Sequence, residues 1–358
     1  MKRIIREYLL GLATDRISGP VYCLPKFLLS ALSLVYGLIV RALIFIYRLN
    51  LHRLPCKVIS IGNITLGGTG KTLLTEYIAG YLKQNGHRVA VVSRGYKRKI
   101  TSREPGVRSQ ENMGDEPYML SRKLGDIPVI VDADRIRGIS MAIRDYSVDT
   151  VILDDAMQQW RIRKDLEVAA IDAENPFGNR CLIPRGILRE PLSGLKRADI
   201  FILTDPVPGA LEIESTLRKI NPQAALFKAT RRPLFFLRFD DPQKRLALSD
   251  LKDKSVILVS GIGNPGSFDQ TVRSLGIKIA DSLKFQDHHK YTQEDIELIS
   301  KRCAAKGTDA IIITEKDAVK FCELRFTNYG LRVYILRIAI EIKDEDKFNH
   351  RLLQLYSG

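Results

Sequence analysis

KVISIGNITLGGTGKT, residues 57–72, is the stretch on which the reading of this chain turns. Val58, Ile59 and Ile61 form a short β-rich apolar run, a glycine-rich turn follows, and Leu73, Leu74, Tyr77, Ile78 and Leu82 recur at helical spacing after it. The order is strand, phosphate loop, helix. Gly67, Gly68 and Gly70 let backbone N–H groups converge on an anion, and a helix opening at Lys71 adds the positive end of its dipole. A polyphosphate suits such a loop. Thr65, Leu66, Gly67, Gly68, Thr69, Gly70, Lys71 and Thr72 would wrap it, with Lys71 on the β and γ phosphates and the Thr72 hydroxyl on a Mg²⁺ ion. The spacing follows G-x-x-x-x-G-K-[ST] except at its first position, where Thr65 stands for glycine. The plainer alternative is a Gly-rich turn that only joins strand to helix, and the element order on both sides weighs against it.

The chain has 358 residues, enough for two packed α/β units, and its 45% hydrophobic content is that of an ordinary globular protein. The charge is not ordinary. Lys and Arg number 56 against 41 Asp and Glu, and the resulting +15 suggests an anionic partner: acidic lipid, a phosphorylated substrate or nucleic acid. Nucleic acid ranks last, because the sequence has no zinc-finger spacing, no aromatic RNP-like run and no basic low-complexity arm. Cys23, Cys56, Cys181, Cys303 and Cys322 are scattered, odd in number and without a C-x-x-C pair, which argues for a reducing compartment. No cleavable signal stands out.

Residues 2–12 place Ile4, Ile5, Tyr8, Leu9 and Leu12 on one helical face beside Lys2, Arg3 and Arg6, the pattern of a helix lying on an anionic membrane. Residues 27–47 are then almost wholly apolar, broken by Arg41. A charge at a bilayer's centre costs about 2.5 to 3.5 kcal/mol on insertion scales, but Arg41 lies toward one end, where it can snorkel. An interfacial or partly embedded helix is the first reading; a true span and a buried core helix are the alternatives. Positive flanks at Lys2, Arg3, Arg48 and Arg53 suit the cytoplasmic leaflet.

Beyond the phosphate loop, residues 88–93 read as a strand and 94–99 as a basic turn, either solvated or a clamp in which Arg94 meets a phosphate. Asp115-Glu116-Pro117 opens a helix, and capping alone would explain Asp115. Residues 129–131 and 148–153 supply further strands. The second ends in Asp154-Asp155, and paired acids at a strand's C-terminal end are what a Mg²⁺ site beside a phosphate loop requires, although they also occur as surface caps. Strands at 168–172 and 199–204 follow, separated by a Pro- and Gly-punctuated connector at 182–191. In it, Arg185 and Arg189 either face an anion or are solvated, and Arg189 reads with Arg94 as a candidate substrate contact.

The alternation to about residue 222 predicts a P-loop NTPase-like parallel sheet with helices on both faces. Extended segments near 223–248 read as a β-ribbon linker, and 249–358 as a second, smaller α/β domain with strands at 256–260, 310–314 and 331–336. The resulting division is 1–52 for membrane-associated helices, 53–222 for the phosphate-loop domain, then ribbon and C-terminal domain. The second unit holds a competing motif: Gly261-Ile262-Gly263-Asn264-Pro265-Gly266 fits G-x-G-x-x-G, with Asp281 where a ribose-binding acid would sit. Pro265 inside that loop argues against a dinucleotide. Asp287-His288-His289 precedes a capping box at 292–295, with too few ligands nearby for a metal site. Thr314-Glu315-Lys316-Asp317 resembles a guanine-reading motif only superficially, because Glu315 takes the required Lys position.

In this order, GNITLGGTGKT, SRGY, GDEP, LDD, PFGN…PRGILREP, GIGNP, DHH and TEKDAVK make most of the chain resemble the tetraacyldisaccharide 4'-kinases, the lipid A kinases of Gram-negative bacteria. Thr65 is usual in that family. The resemblance implies transfer of the γ-phosphoryl group of ATP, with Mg²⁺, to the 4'-hydroxyl of an acylated glucosamine disaccharide 1-phosphate at the cytoplasmic face of the inner membrane. It further implies that Lys71 and Thr72 hold phosphate and Mg²⁺, and that Asp154, Asp155 and Gln158 form the metal side. Asp115 of GDEP would be the base on the sugar hydroxyl, with His288 of DHH orienting it or raising its basicity. Where the family commonly reads DDGFQH, this chain has Asp154-Asp155-Ala156-Met157-Gln158-Gln159, without the turn glycine and the histidine. Lys97 and Arg185 also replace residues that are usually small. A rival of another class is a membrane-tethered ATP switch that positions partner proteins; such switches carry a Lys before the paired glycines, where this chain has Leu66.

Overall fold

The structure, a computed structural model, describes residues 11–12, 15, 17, 19–95, 113–321 and 329–357. The amphipathic stretch at 2–12, Gly11 and Leu12 excepted, lies outside the described residues, as do Lys97 of the basic turn and Cys322. Along the chain run helix α1 (Cys23–Leu49), strand β1 (Lys57–Gly62), α2 (Lys71–Gln84), β2 (Val89–Ser93), α3 (Asp115–Leu124), β3 (Val129–Val131), α4 (Arg135–Tyr146), β4 (Thr150–Asp154) and β5 (Leu166–Asp172). Then come β6 (Ile200–Thr204), α5 (Ala210–Ile220), β7 (Ala225–Arg238), β8 (Arg245–Leu246), β9 (Ser255–Ser260), α6 (Pro265–Ser274) and β10 (Lys278–Lys284). Last are α7 (Gln293–Ala305), β11 (Ala310–Thr314), α8 (Glu315–Phe321), β12 (Arg332–Ile342) and α9 (Glu345–Leu353).

These elements form two compact units. The first comprises the described residues of Met1–Arg94, Asp126–Thr230 and Glu341–Gly358, and the second those of Gly95–Gly125 and Arg231–Ile340. The contacts therefore cut the chain differently from boundaries placed at 222 and 249. Residues 95–125 group with the second unit because α3 packs on α8, where Lys123 pairs with Glu315 at 2.8 Å and Lys316 with Glu116. The C-terminal residues return to the first unit through α9, whose Phe348 packs on Tyr77 of α2 while Glu345 accepts that tyrosine's hydroxyl at 2.6 Å. Partners about two hundred positions apart leave no local trace in the sequence.

In the first unit the strand order is β7-β6-β5-β1-β4-β2-β3, with every pair parallel. All residues of β2, β4 and β6 are buried, so helices cover both faces of the sheet. The strand that leads into the phosphate loop is central: β1 lies between β4 and β5. The second unit repeats the device as β10-β9-β11-β12. Alternate residues there go to opposite layers. Ile257, Val259, Ile311 and Ile313 pack with Ile296 and Ile299 of α7, while Val256, Leu258 and Ile312 pack with Phe268 and Val272 of α6. At the second unit's edge, β10 was not apparent in the sequence, because KIADSLK is nowhere fully buried and so carries no apolar run. The expected ribbon is short: β8 pairs antiparallel with Phe236 and Leu237 of β7.

Among the described residues α1 is the helix long and apolar enough to cross a membrane. It buries one stripe, Ser33, Gly37 and Val40, and leaves Leu24, Phe27, Leu28, Leu34, Leu38 and Phe45 exposed. Only 17% of its apolar window is buried, which removes the core-helix alternative.

Candidate active site

The phosphate loop has the form that its glycines predict. Gly67 and Gly70 adopt φ of 131° and 77°, in the region that disfavours side chains, and Gly70 caps α2. A Cβ on Gly67 or Gly68 would meet nothing within 4 Å among the described residues, which leaves that side of the loop clear of them, as an anion cradle must be. Lys71 folds back over the loop, with Nζ 3.5 Å from both Gly67 O and Asp155 Oδ1. Thr72 is half-buried on the first turn of α2, and the Thr69 hydroxyl is buried without a partner among the described residues.

The two acids at the end of β4 part ways. Asp154 sits in register beside Ile61 of β1, is 5% exposed, and accepts the hydroxyls of Thr75 (3.2 Å) and Ser93 (3.5 Å). Asp155 takes φ of 47°, in the left-handed region that Asp tolerates better than most residues, and is bound by Arg189 Nη1 at 2.9 and 3.0 Å as well as by Lys71. Arg189, read as meeting an anion, meets this carboxylate. Arg185 instead ties down Asp15 at 2.9 Å. Gln158 gives its amide protons to Asn63 O (2.8 Å) and Glu190 Oε1 (2.9 Å), with its carbonyl oxygen 3.4 Å from Arg189. Arg94 is exposed immediately beyond β2.

Burial alone would raise the Asp155 carboxyl, but the Lys71 and Arg189 charges outweigh it and hold the group below its ordinary value. A carboxyl lowered by folding stabilises the fold above its unfolded pKa, and that contribution disappears as pH falls through the folded value. Asp155→Asn should therefore cost stability at neutral pH and little in acid, as measured by urea unfolding across pH. Equal losses at both ends would take the ion pair out of the account.

Behind these residues lies a buried charge network that sequence reasoning missed. Glu190, 0% exposed, accepts Arg197 Nη2 at 2.8 Å, and Lys164 donates to Glu167 at 2.5 Å and to Met157 O at 3.1 Å. Gly194 makes room for it, since a Cβ there would stand 2.4 Å from Glu190 Oε2. Arg135, 2% exposed, was also missed; it donates to the carbonyls of Asp132 (2.8 Å) and Asp154 (3.1 Å). The one available signal was the charge density of REP and RKDLE inside otherwise apolar surroundings.

In the second unit Asp115 is the first residue of α3 and follows Gly114, which holds the cap position, so capping does not account for it. His288 Nδ1 lies 3.6 Å from Asp115 Oδ2, and His288 itself adopts φ of 61°. The next histidine does something else: His289 Nε2 bonds Asp295 Oδ2 at 2.9 Å and its ring stacks on Phe285. The competing dinucleotide motif is used structurally. Asn264 caps α6 through Ser267 N, and Asp281 lies inside β10, where Arg302 approaches it at 3.5 Å, rather than at a strand end. Asp317 of TEKD is fully buried and accepts Gly261 N, Tyr291 Oη and Thr314 Oγ1 at 2.6 to 3.1 Å, a pin between loops.

Residues 25–357 match the family described as tetraacyldisaccharide-1-P 4'-kinase. The chain is 36% identical to a tetraacyldisaccharide 4'-kinase from Halothermothrix orenii over 96% of both chains. A protein of the same name from Desulfatibacillum aliphaticivorans is 35% identical over 89% of this chain and 90% of the other. Among solved structures, "apo" form LpxK from Aquifex aeolicus in complex with ATP superposes with a TM-score of 0.70 at 28% identity, covering 91% of this chain and 97% of that one. With a phosphate loop of the required form and relatives that match nearly end to end, this chain belongs to the tetraacyldisaccharide-1-P 4'-kinase family.

Proposed function

We infer that this protein transfers the γ-phosphoryl group of ATP to the 4'-hydroxyl of a lipid A disaccharide precursor. The observation that carries this reading is the family match over residues 25–357, joined to a loop whose Lys71 stands 3.5 Å from a carboxylate at the end of the neighbouring strand. Lys71 and the N–H groups of residues 67–72 would hold the triphosphate. Oxygen donors fit Mg²⁺: the Thr72 hydroxyl on α2 and Asp154, whose carboxylate is bonded to Thr75 one turn further along the same helix. When bound, the ion neutralises charge on the β and γ oxygens. Asp155 and Arg189 keep Lys71 poised, Gln158 braces the strand end through Asn63, and Arg94 is the outlying cation offered to the substrate's phosphate. Asp115, oriented by His288, takes the proton from the sugar hydroxyl. Because the phosphoryl transition state is loose, positioning and charge neutralisation contribute more than that base.

The substrate's finer identity, an acylated glucosamine disaccharide 1-phosphate, and a peripheral or monotopic seat on the cytoplasmic leaflet belong to the same proposal. The exposed apolar face of α1 beside Arg41, Arg48 and Arg53 supports it. Replacing Leu38 and Phe45 together by Glu should weaken binding to anionic vesicles more than about tenfold, given roughly 1.5 to 3 kcal/mol per buried large side chain. Unchanged flotation with vesicles would move the membrane contact elsewhere. For the reaction itself, purified protein with ATP, Mg²⁺ and the disaccharide 1-phosphate lipid should yield a bisphosphorylated product. ATP hydrolysis indifferent to lipid, with no such product, would favour a nucleotide switch instead.

A further inference from the structure

The inward stripe of α1 is hydrogen-bonded to the segment that edges the phosphate loop. Ser33 Oγ donates to Leu182 O at 2.8 Å and accepts from Arg185 N at 2.9 Å, and the Tyr36 hydroxyl donates to Arg189 O at 2.7 Å. Gly37 permits the approach, because a Cβ there would stand 2.7 Å from Leu182 Cδ1. The segment is closed on itself: Ile183 N bonds Leu188 O at 2.9 Å, Leu188 N bonds Cys181 O at 3.1 Å, and a Cβ on Gly186 would lie 2.2 Å from Cys181 O. Its other edge lies antiparallel to residues 64–66, with Arg189 N on Ile64 O at 2.7 Å and Leu66 N on Ile187 O at 2.8 Å. A single residue thus collects three contacts. Arg189 receives Tyr36 on its carbonyl, gives its N–H to Ile64 O just before the phosphate loop, and gives its guanidinium to Asp155.

We propose that Tyr36 is a positioning residue for the nucleotide site, its hydroxyl fixing Arg189 so that the loop and the Asp155–Lys71 pair keep the shape that takes a triphosphate. The proposal rests on the phosphoryl-transfer reading above. A helix that only had to seat in lipid would need apolar residues alone. Instead, this one turns two hydroxyls toward main-chain atoms of the connector that borders the loop. The site's geometry consequently depends on α1 being docked, and the face of α1 opposite this stripe is the apolar one. The bland account, in which the Tyr36 bond merely glues helix to sheet, makes a different forecast.

Tyr36→Phe keeps the ring and removes the hydroxyl. In the full chain held in detergent micelles, binding of a fluorescent ATP analogue with Mg²⁺ should weaken about two- to tenfold, the span expected for one part-buried hydrogen bond. KM for ATP should rise in step, while KM for lipid and the melting midpoint stay at wild-type values. Tyr356→Phe is the control, since that hydroxyl bonds Thr150 at the start of β4, the end away from Asp154. Unchanged analogue binding in Tyr36→Phe overturns the proposal. So does weaker binding that comes with a lower melting midpoint and is matched by Tyr356→Phe, because the hydroxyl is then glue alone. Analogue binding needs no lipid turnover, so a wild-type protein that binds nucleotide without phosphorylating the disaccharide counts against the kinase reading and leaves the Tyr36 result standing.

Discussion

Lys71→Ala is expected to lower kcat by at least about a hundred- to a thousandfold, the range seen when one preorganised donor to a developing negative charge is removed. The side chain is 11% exposed and already lies over the loop, held between Gly67 O and Asp155 at 3.5 Å each. Moving from that carboxylate to a phosphate oxygen exchanges one anion for another, so the ammonium never has to leave an ionic partner for water. Alanine leaves Asp155 with Arg189, and only the loop N–H groups and the dipole of α2 then offset charge on the β and γ oxygens from the protein side. Arginine should not rescue the variant, because a planar guanidinium cannot replace a compact ammonium folded inside a turn. The measurement is steady-state phosphorylation of the lipid, with circular dichroism to confirm folding. A near-normal rate in Lys71→Ala would remove the loop from the mechanism.

The legible part of the molecule was the part written in local pattern. Residues 57–72 fixed strand, loop and helix because a glycine at positive φ and a helix start have local causes, and Asp154-Asp155 followed from an apolar strand ending in acids. What the loop rests on could not be read in the same way. Arg189 and Asp155 are 34 positions apart, Tyr36 and Arg189 are 153 apart, and Lys123 and Glu315 are 192 apart, so no window holds both partners. The fully buried Glu190 carried no signal of its own in a Pro- and Gly-punctuated connector, whereas Gln158 and Arg197 on either side make its burial tolerable. Arg185 and Arg189 show the limit most clearly. Four residues apart in one connector, they match the same local pattern although Arg189 alone reads as a substrate contact, and the fold sends one to Asp15 and the other to Asp155.

Asp115→Ala should separate the two jobs of the enzyme, lowering kcat by about a hundredfold, the low end of general-base effects, while KM for ATP stays within about twofold. The low end is expected because bond breaking to the leaving oxygen runs ahead of proton removal in a loose transition state, so the base acts late. Asp115 opens α3 directly after the capping Gly114. His288 is placed to orient it: Nδ1 is 3.6 Å from Asp115 Oδ2, on a residue that holds a left-handed backbone conformation, φ 61°, in the DHH turn. If the two act as one unit, His288→Ala costs less than Asp115→Ala, and the double variant is no worse than Asp115→Ala alone. Additive losses would make them independent contributors. A collapse of ATP affinity in Asp115→Ala would instead assign that carboxylate to the nucleotide, and the proton would then have to leave by another group.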